Sequence, residues 1–134
     1  MTDPETYGKK KIEIEQIEKI LSDKLNRNDH SDVLKYENEL YNLLNEIIKT
    51  NEDVITKLTT SIKNLQLQNT SINNDENLNK KEKEQQINKN KKLIGIRFNR
   101  KTKLDIENGK YKAKFQTLEE KLEIEKNKSN ALKE

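Results

Sequence analysis

Stepping alternately by three and four residues from Tyr41 meets Leu44, Ile48, Asn51, Ile55, Leu58, Ile62, Leu65, Asn69 and Ile72. Eight of these ten positions are apolar and the other two are asparagine. A mean period of 3.5 residues keeps a seam facing its neighbour only if the helices wind left-handedly around each other. The chain is therefore expected to build a long helix whose stripe a second helix covers. From Tyr41 to Ile72 that helix extends roughly 48 Å at 1.5 Å per residue. Nearer its start the stripe widens to take in Val33, Leu34, Tyr36, Leu40, Leu43 and Ile47. A wider stripe suits two neighbours. Asn51 and Asn69 have two readings. Buried seam asparagines fix register and oligomer state when they pair, but asparagine is so common here that chance alone places two in the seam.

Composition limits what else the chain can bury. Apolar residues make up 30% and charged residues 38%, and tryptophan is absent. A compact globule usually carries nearer half apolar residues, so a narrow stripe between helices is expected in place of a large core. Disorder competes for so polar a chain, and the seam argues against it in the middle. Lysine, asparagine and isoleucine are abundant while alanine occurs only at Ala113 and Ala131. That bias reads as codon usage from an AT-rich genome, such as a low-GC bacterium, its phage, a large DNA virus or certain protists.

Ahead of the long helix, Thr2 and Glu5 have capping-box spacing, with Pro4 where a first turn tolerates it. A short helix follows to about Leu25, with Ile14, Ile17, Leu21 and Leu25 on one side. Asn26 to Ser31 reads as a turn, with Asp29 or Ser31 as the next N-cap. Beyond Ile72, residues 73–92 hold only Leu78 and Ile87 as apolar side chains and read as a polar linker or a solvated helix. Asp75, Asn77 and Asn79 mimic the start of a calcium loop. Lys80 stands where that loop needs glycine and Gln86 where it needs glutamate, so calcium is not expected.

From Leu93 to Phe115 the period changes. Ile94, Ile96 and Phe98 alternate, then Leu104 and Ile106, then Tyr111, Ala113 and Phe115, with Asn108-Gly109 between the last two sets. That dipeptide is a strong hairpin signal, and it pairs Ile106 with Tyr111 and Asp105 with Lys112. A helical alternative stays open, because Leu104, Tyr111, Phe115, Leu118 and Leu122 keep heptad spacing. The β unit is the expectation, since Gly95 and Gly109 both penalise helix. A last helix runs from Gln116 towards Leu132. The expected fold is mainly α: an elongated coiled-coil rod with a short N-terminal helix, a small β-hairpin or meander at 93–115 and a short C-terminal helix. Its expected segments are 1–28, 29–72, 73–92 and 93–134.

Charge is unevenly spread. Residues 80–103 carry ten basic and two acidic side chains, against ten and fifteen in residues 1–79. Lys89, Lys91, Lys92, Arg97, Arg100, Lys101 and Lys103 lie in a stretch without any acid. Such a patch fits a phosphate backbone, with Phe98 or Tyr111 stacking on unpaired bases. It equally fits an acidic protein surface, or a solvated segment of a lysine-rich chain. Lysine outnumbers arginine, which suits point-charge contacts over bidentate base readout.

Catalytic chemistry is not expected. The single histidine, His30, lies in a polar turn, and cysteine is absent. Neither a metal site nor a histidine-dependent nucleophile can be assembled from those residues. Three glycines leave no phosphate-binding loop. Acidic pairs such as Glu13 with Glu15 and Glu119 with Glu120 sit on polar helix surfaces, where acid–base catalysis gains nothing. No enzyme, cofactor, metal or small-molecule substrate is therefore expected.

No apolar run is long enough to span a membrane, and the polar start Met1-Thr2-Asp3-Pro4-Glu5 is unlike a secretory signal. The expected location is intracellular (cytoplasmic), or within an assembled particle, and not secreted. The expected function is a non-catalytic structural or assembly protein that associates through its coiled coil, with itself or with another helical protein. A virion or phage component suits the AT-rich signature. The alternative is a nucleic-acid-binding accessory protein that dimerises through the coiled coil and grips phosphates through residues 80–103. A helix, hairpin and helix, with Lys92-Leu93-Ile94-Gly95 near a first strand, resembles prefoldin subunits over a handful of residues. The C-terminal helix expected here is too short to pair with the first as theirs does, and the family is not assigned.

Overall fold

The computed structural model describes residues 4–133, with side chains from Tyr7 to Ser129. Three helices follow one another: α1, Pro4–Asn26; α2, Val33–Asn73; and α3, Lys80–Lys133. Among the described residues there is no strand. The Thr2–Glu5 capping box lies outside the described side chains.

The α1–α2 connection closes through local hydrogen bonds. Asn28 takes a left-handed φ of 55°. Its N–H donates to the Leu25 carbonyl at 3.2 Å, and the Asp29 N–H donates to the Lys24 carbonyl at 2.9 Å. These are the paired 5→2 and 6→1 bonds that satisfy the last carbonyls of a helix. Asp29 then accepts from the Ser31 N–H at 2.9 Å and the Ser31 hydroxyl at 2.6 Å. Asp29 and Ser31 were the expected N-caps, but they close the turn on each other. Helix α2 begins after Asp32 (φ 60°), whose carbonyl accepts from the Tyr36 N–H at 3.1 Å.

The α2–α3 connection is short. Asp75 accepts from the Asn77 N–H, and Asn79 caps α3 by accepting from the Glu82 N–H, both at 2.9 Å. Two members of the calcium-loop mimic thus bind the connection's own backbone. Of the segment 73–92, expected as a polar linker or a solvated helix, Asn73 ends α2, residues 74–79 make the connection and residues 80–92 form the largely exposed start of α3.

Residues 93–115 are helical throughout, which overturns the β-hairpin and the separate short C-terminal helix. Gly95 and Gly109 sit exposed in helical conformation. Each costs about 1 kcal/mol relative to alanine. Against that penalty, α3 places Ile87, Asn90, Ile94, Arg97, Lys101, Leu104, Asn108, Tyr111, Phe115, Leu118 and Leu122 on covered or half-covered positions. They advance alternately by three and four, an unbroken stripe at helical spacing. Fully burying one large apolar side chain is worth about 1.5–3 kcal/mol, so Tyr111 and Leu118 alone outweigh both glycines. The strand pairing would have matched Ile106 with Tyr111. In the helix, Ile106 is 59% exposed and Tyr111 only 7%. Without the hairpin the prefoldin resemblance has no basis.

The chain divides into two compact units, Met1–Thr50 with Asn108–Glu134, and Asn51–Glu107. In the first, three helical segments enclose a core. Ile14 and Ile17 come from α1, Leu40, Leu44, Ile47 and Ile48 from α2, and Tyr111 and Leu118 from α3. The wide stripe at the start of α2 is covered from two sides, because α1 folds back against it, except at Leu34, which is 54% exposed. Tyr41 stacks on Phe115 with ring centroids 4.6 Å apart, which adds about 1 kcal/mol beyond area burial. Ion pairs tie each pair of helices, among them Lys10 to Glu46 at 3.3 Å, Lys114 to Glu18 at 3.0 Å, and Lys121 to Glu37 at 3.1 Å.

In the second unit, residues 51–73 of α2 pair with residues 80–107 of α3. Arg97 donates to the Ser61 hydroxyl at 2.6 Å, Asn90 to Asn69 Oδ1 at 2.9 Å, and Lys83 Nζ to the Asn73 carbonyl at 2.9 Å. Partners descend along α3 as they ascend along α2, so the two segments run antiparallel. Leu58 and Leu65 are the buried apolar residues of this unit.

Candidate interaction surface

All ten seam positions are covered to some degree. Leu44, Ile48, Asn51, Leu58 and Leu65 are buried, while Tyr41, Ile55, Ile62, Asn69 and Ile72 are half-buried. Tyr41, Leu44 and Ile48 belong to the first unit, the rest to the second. In both units, covering helices come from the same chain. The Asn69 side chain accepts from the Asn90 amide across the α2–α3 pair at 2.9 Å. Asn51 is 1% exposed.

The basic stretch is split between faces of α3. At 100° per residue, Arg97 and Lys101 fall on the half-covered inner side, where Arg97 donates to Ser61. Lys89, Lys92 and Lys103 point outward with Arg100 beside them, all within an arc of about 80°, and all are exposed. Lys91 lies round the helix with Phe98, one heptad on, and both are exposed. The main row of exposed cations and the exposed Phe98 ring therefore occupy different flanks, with only Lys91 beside the ring, and the buried Tyr111 offers no ring for stacking on a base.

Pairing separates these cations from the lysines of the first unit. None of Lys89, Lys91, Lys92, Arg100 and Lys103 takes part in an ion pair among the described residues. In the first unit Lys10, Lys24, Lys114 and Lys121 all have acidic partners. Residues 51–107 hold twelve basic and eight acidic side chains, and the acid-free stretch concentrates that excess on α3. Unpaired cations so close together repel one another and attract an anionic surface at long range.

The outward row also contains apolar side chains that the charge argument overlooked. Ile96 is 66% exposed and Ile106 59%. Lys89, Lys92, Ile96, Asn99, Lys103 and Ile106 advance by three, four, three, four and three, the same alternation as the seam on α2. That spacing was the available sequence signal, and the strand assignment at 93–115 concealed it.

Elsewhere the surface offers little for chemistry. An open depression of about 440 Å³ in the first unit is lined by Leu34, Tyr41, Glu119, Leu122, Glu123 and Lys126, among others. Among the described residues no group of three or more acidic or histidine side chains is arranged to hold a metal ion, and His30 is exposed in the α1–α2 connection. Asp29 has a clearly displaced acidity, held at about 2 against an ordinary 3.8, chiefly by the Ser31 hydroxyl and then by the Ser31 N–H and Lys24. It staples a turn. Glu37 is 1% exposed, and neither of its oxygens accepts a directed hydrogen bond, although the Lys121 ammonium lies 3.1 Å away. No helix among the described residues is long and apolar enough to cross a membrane. Compared with known proteins, the chain matches no protein family, no curated protein and no solved structure.

Proposed function

We propose that this chain is a non-catalytic assembly protein. Its antiparallel coiled coil is closed within the chain and presents the outward basic face of α3 to a partner. The supporting observation is the contrast between the two faces of α3 in residues 85–107. The inner face is engaged with α2, while the outer carries unpaired cations and exposed isoleucines at helical spacing. A seam already covered within the chain has no need of a second copy. Association therefore belongs to the outer face, a shift from the expectation that the Tyr41–Ile72 seam itself dimerises.

Size-exclusion chromatography with light scattering on the chain purified from its own source tests this. A stoichiometric complex above 15.8 kDa is the expected result. A strictly monomeric chain that never co-elutes with a partner sinks the proposal. A second reading, a nucleic-acid accessory protein, is favoured by the same unpaired cations, which would displace condensed counterions from a phosphate backbone. Its signature is oligonucleotide binding that falls steeply between low and moderate salt.

A further inference from the structure

We infer that the outward row of α3, formed by Lys89, Lys92, Ile96, Asn99, Lys103 and Ile106 with Arg100 beside it, docks one acidic α-helix of a partner protein. The inference rests on the assembly reading and names the partner's chemistry. Three observations select a helix over a phosphate strand. The alternating three-and-four spacing makes a straight stripe only against another helix wound around it. Ile96 and Ile106 lie in that stripe, and phosphates give them nothing to pack on, whereas a helix offers apolar side chains at matching turns. The exposed aromatic that base stacking requires, Phe98, sits with Lys91 on another flank of α3, away from the main row of cations. Ten residues separate the isoleucines, about 15 Å along the axis.

Charge then specifies the partner's sign. Lys89, Lys92, Lys103 and Arg100 have no ion-pair partner among the described residues, and no acid occurs from Gln85 to Lys103. A docking helix therefore carries glutamate or aspartate beside its apolar stripe, as charges flanking a helical seam choose partner and orientation. Asn99, between the isoleucines, is the polar position that fixes register in such a seam.

The test uses the full chain and a labelled synthetic peptide of four heptads, with leucine at the a and d positions and glutamate at e and g. Its own charges discourage self-pairing. A labelled oligodeoxythymidine of about 20 nucleotides is run in parallel. Fluorescence anisotropy should show the peptide binding and the oligonucleotide not. Ile96→Ser with Ile106→Ser, and separately Lys92→Gln with Lys103→Gln, should each weaken peptide binding at least about tenfold. Circular dichroism should show unchanged helicity, because all four side chains are exposed.

A peptide that does not bind, or binds equally well to the isoleucine variant, overturns the inference. So does oligonucleotide binding that survives the isoleucine changes and falls with the lysine changes, which assigns the row to phosphate. If the chain is recovered in a stoichiometric complex that the isoleucine changes leave intact, the acidic-helix inference fails while the assembly proposal stands. A chain that is monomeric throughout sinks both.

Discussion

The two units solve the same problem of a polar sequence in different ways. In the first, three helical segments surround Ile14, Leu44 and Ile47, each 1% exposed or less, and a lysine–glutamate pair spans every helix–helix interface. In the second, two helices meet along a strip whose buried apolar residues are Leu58 and Leu65, and the contacts between them include asparagine, serine and arginine. Two facing helices enclose only a narrow strip, so most side chains have an edge on water, Asn51 at 1% exposure being an exception. Apolar burial stabilises the first unit, while the second depends more on directed hydrogen bonds, each worth about 1 kcal/mol net. A two-helix unit should open locally more often than a three-helix one.

Charging the seam gives the strongest test of that contrast. Ile55→Asp with Ile62→Asp places two carboxylates into the half-covered strip of the second unit, at a cost of about 4 kcal/mol. Hydrogen exchange should then show protection lost across residues 51–107 and kept at Leu44 and Ile47. Protection that survives in the second unit would mean that the strip carries little of its stability. The mirror experiment, Leu44→Ala, leaves a cavity in the first unit and should cost about 3 kcal/mol in chemical denaturation. A loss below about 1 kcal/mol would show that the core around Leu44 collapses easily.

Lys121→Met isolates Glu37 as a buried carboxylate without its cation. Losing the partner of a buried charge is expensive, but the lysine side chain is 59% exposed and water takes over part of its role. About 1–2 kcal/mol is expected, and double substitution with Glu37→Gln should recover most of it. The smallest effect lies in the α1–α2 connection. Asp29 titrates at about 2 when folded, below its ordinary 3.8. Its contribution is therefore complete above about pH 4 and lost as pH falls towards 2. In a nuclear magnetic resonance titration, Ser31→Ala should return the midpoint towards 3.8. A midpoint that stays near 2 would assign the effect to the Ser31 N–H and Lys24, which that variant leaves in place.

Much of α2 was legible from spacing because its stripe is written in leucine and isoleucine, and all ten seam positions are at least half covered. Helix α3 was harder to read for a physical reason. Its covered stripe includes Asn90, Arg97, Lys101 and Asn108, which a hydrophobicity pattern scores as surface. Two of these are accommodated by hydrogen bonds to Asn69 and Ser61 on α2, partners that no local window contains. The Asn108-Gly109 dipeptide then supplied a turn signal between residues one apart, and stabilisation spread over many turns outweighed it. The same misassignment concealed Ile96 and Ile106, because alternation and helical spacing place them on opposite kinds of surface. The charge asymmetry was visible from the outset, whereas its division into engaged and unpaired cations required three dimensions.

The Asn108-Gly109 dipeptide has a chemical consequence as well. Asparagine followed by glycine loses its amide when the next backbone nitrogen attacks the side-chain carbonyl and closes a five-membered imide. Inside α3 that nitrogen belongs to the helix, and the Asn108 side chain is only 3% exposed. The intact helix therefore shields this position from ageing, and each excursion of the segment out of the helix exposes it. Accumulated aspartate and isoaspartate at 108, counted by mass spectrometry in aged samples, would record how much time the molecule has spent unfolded there.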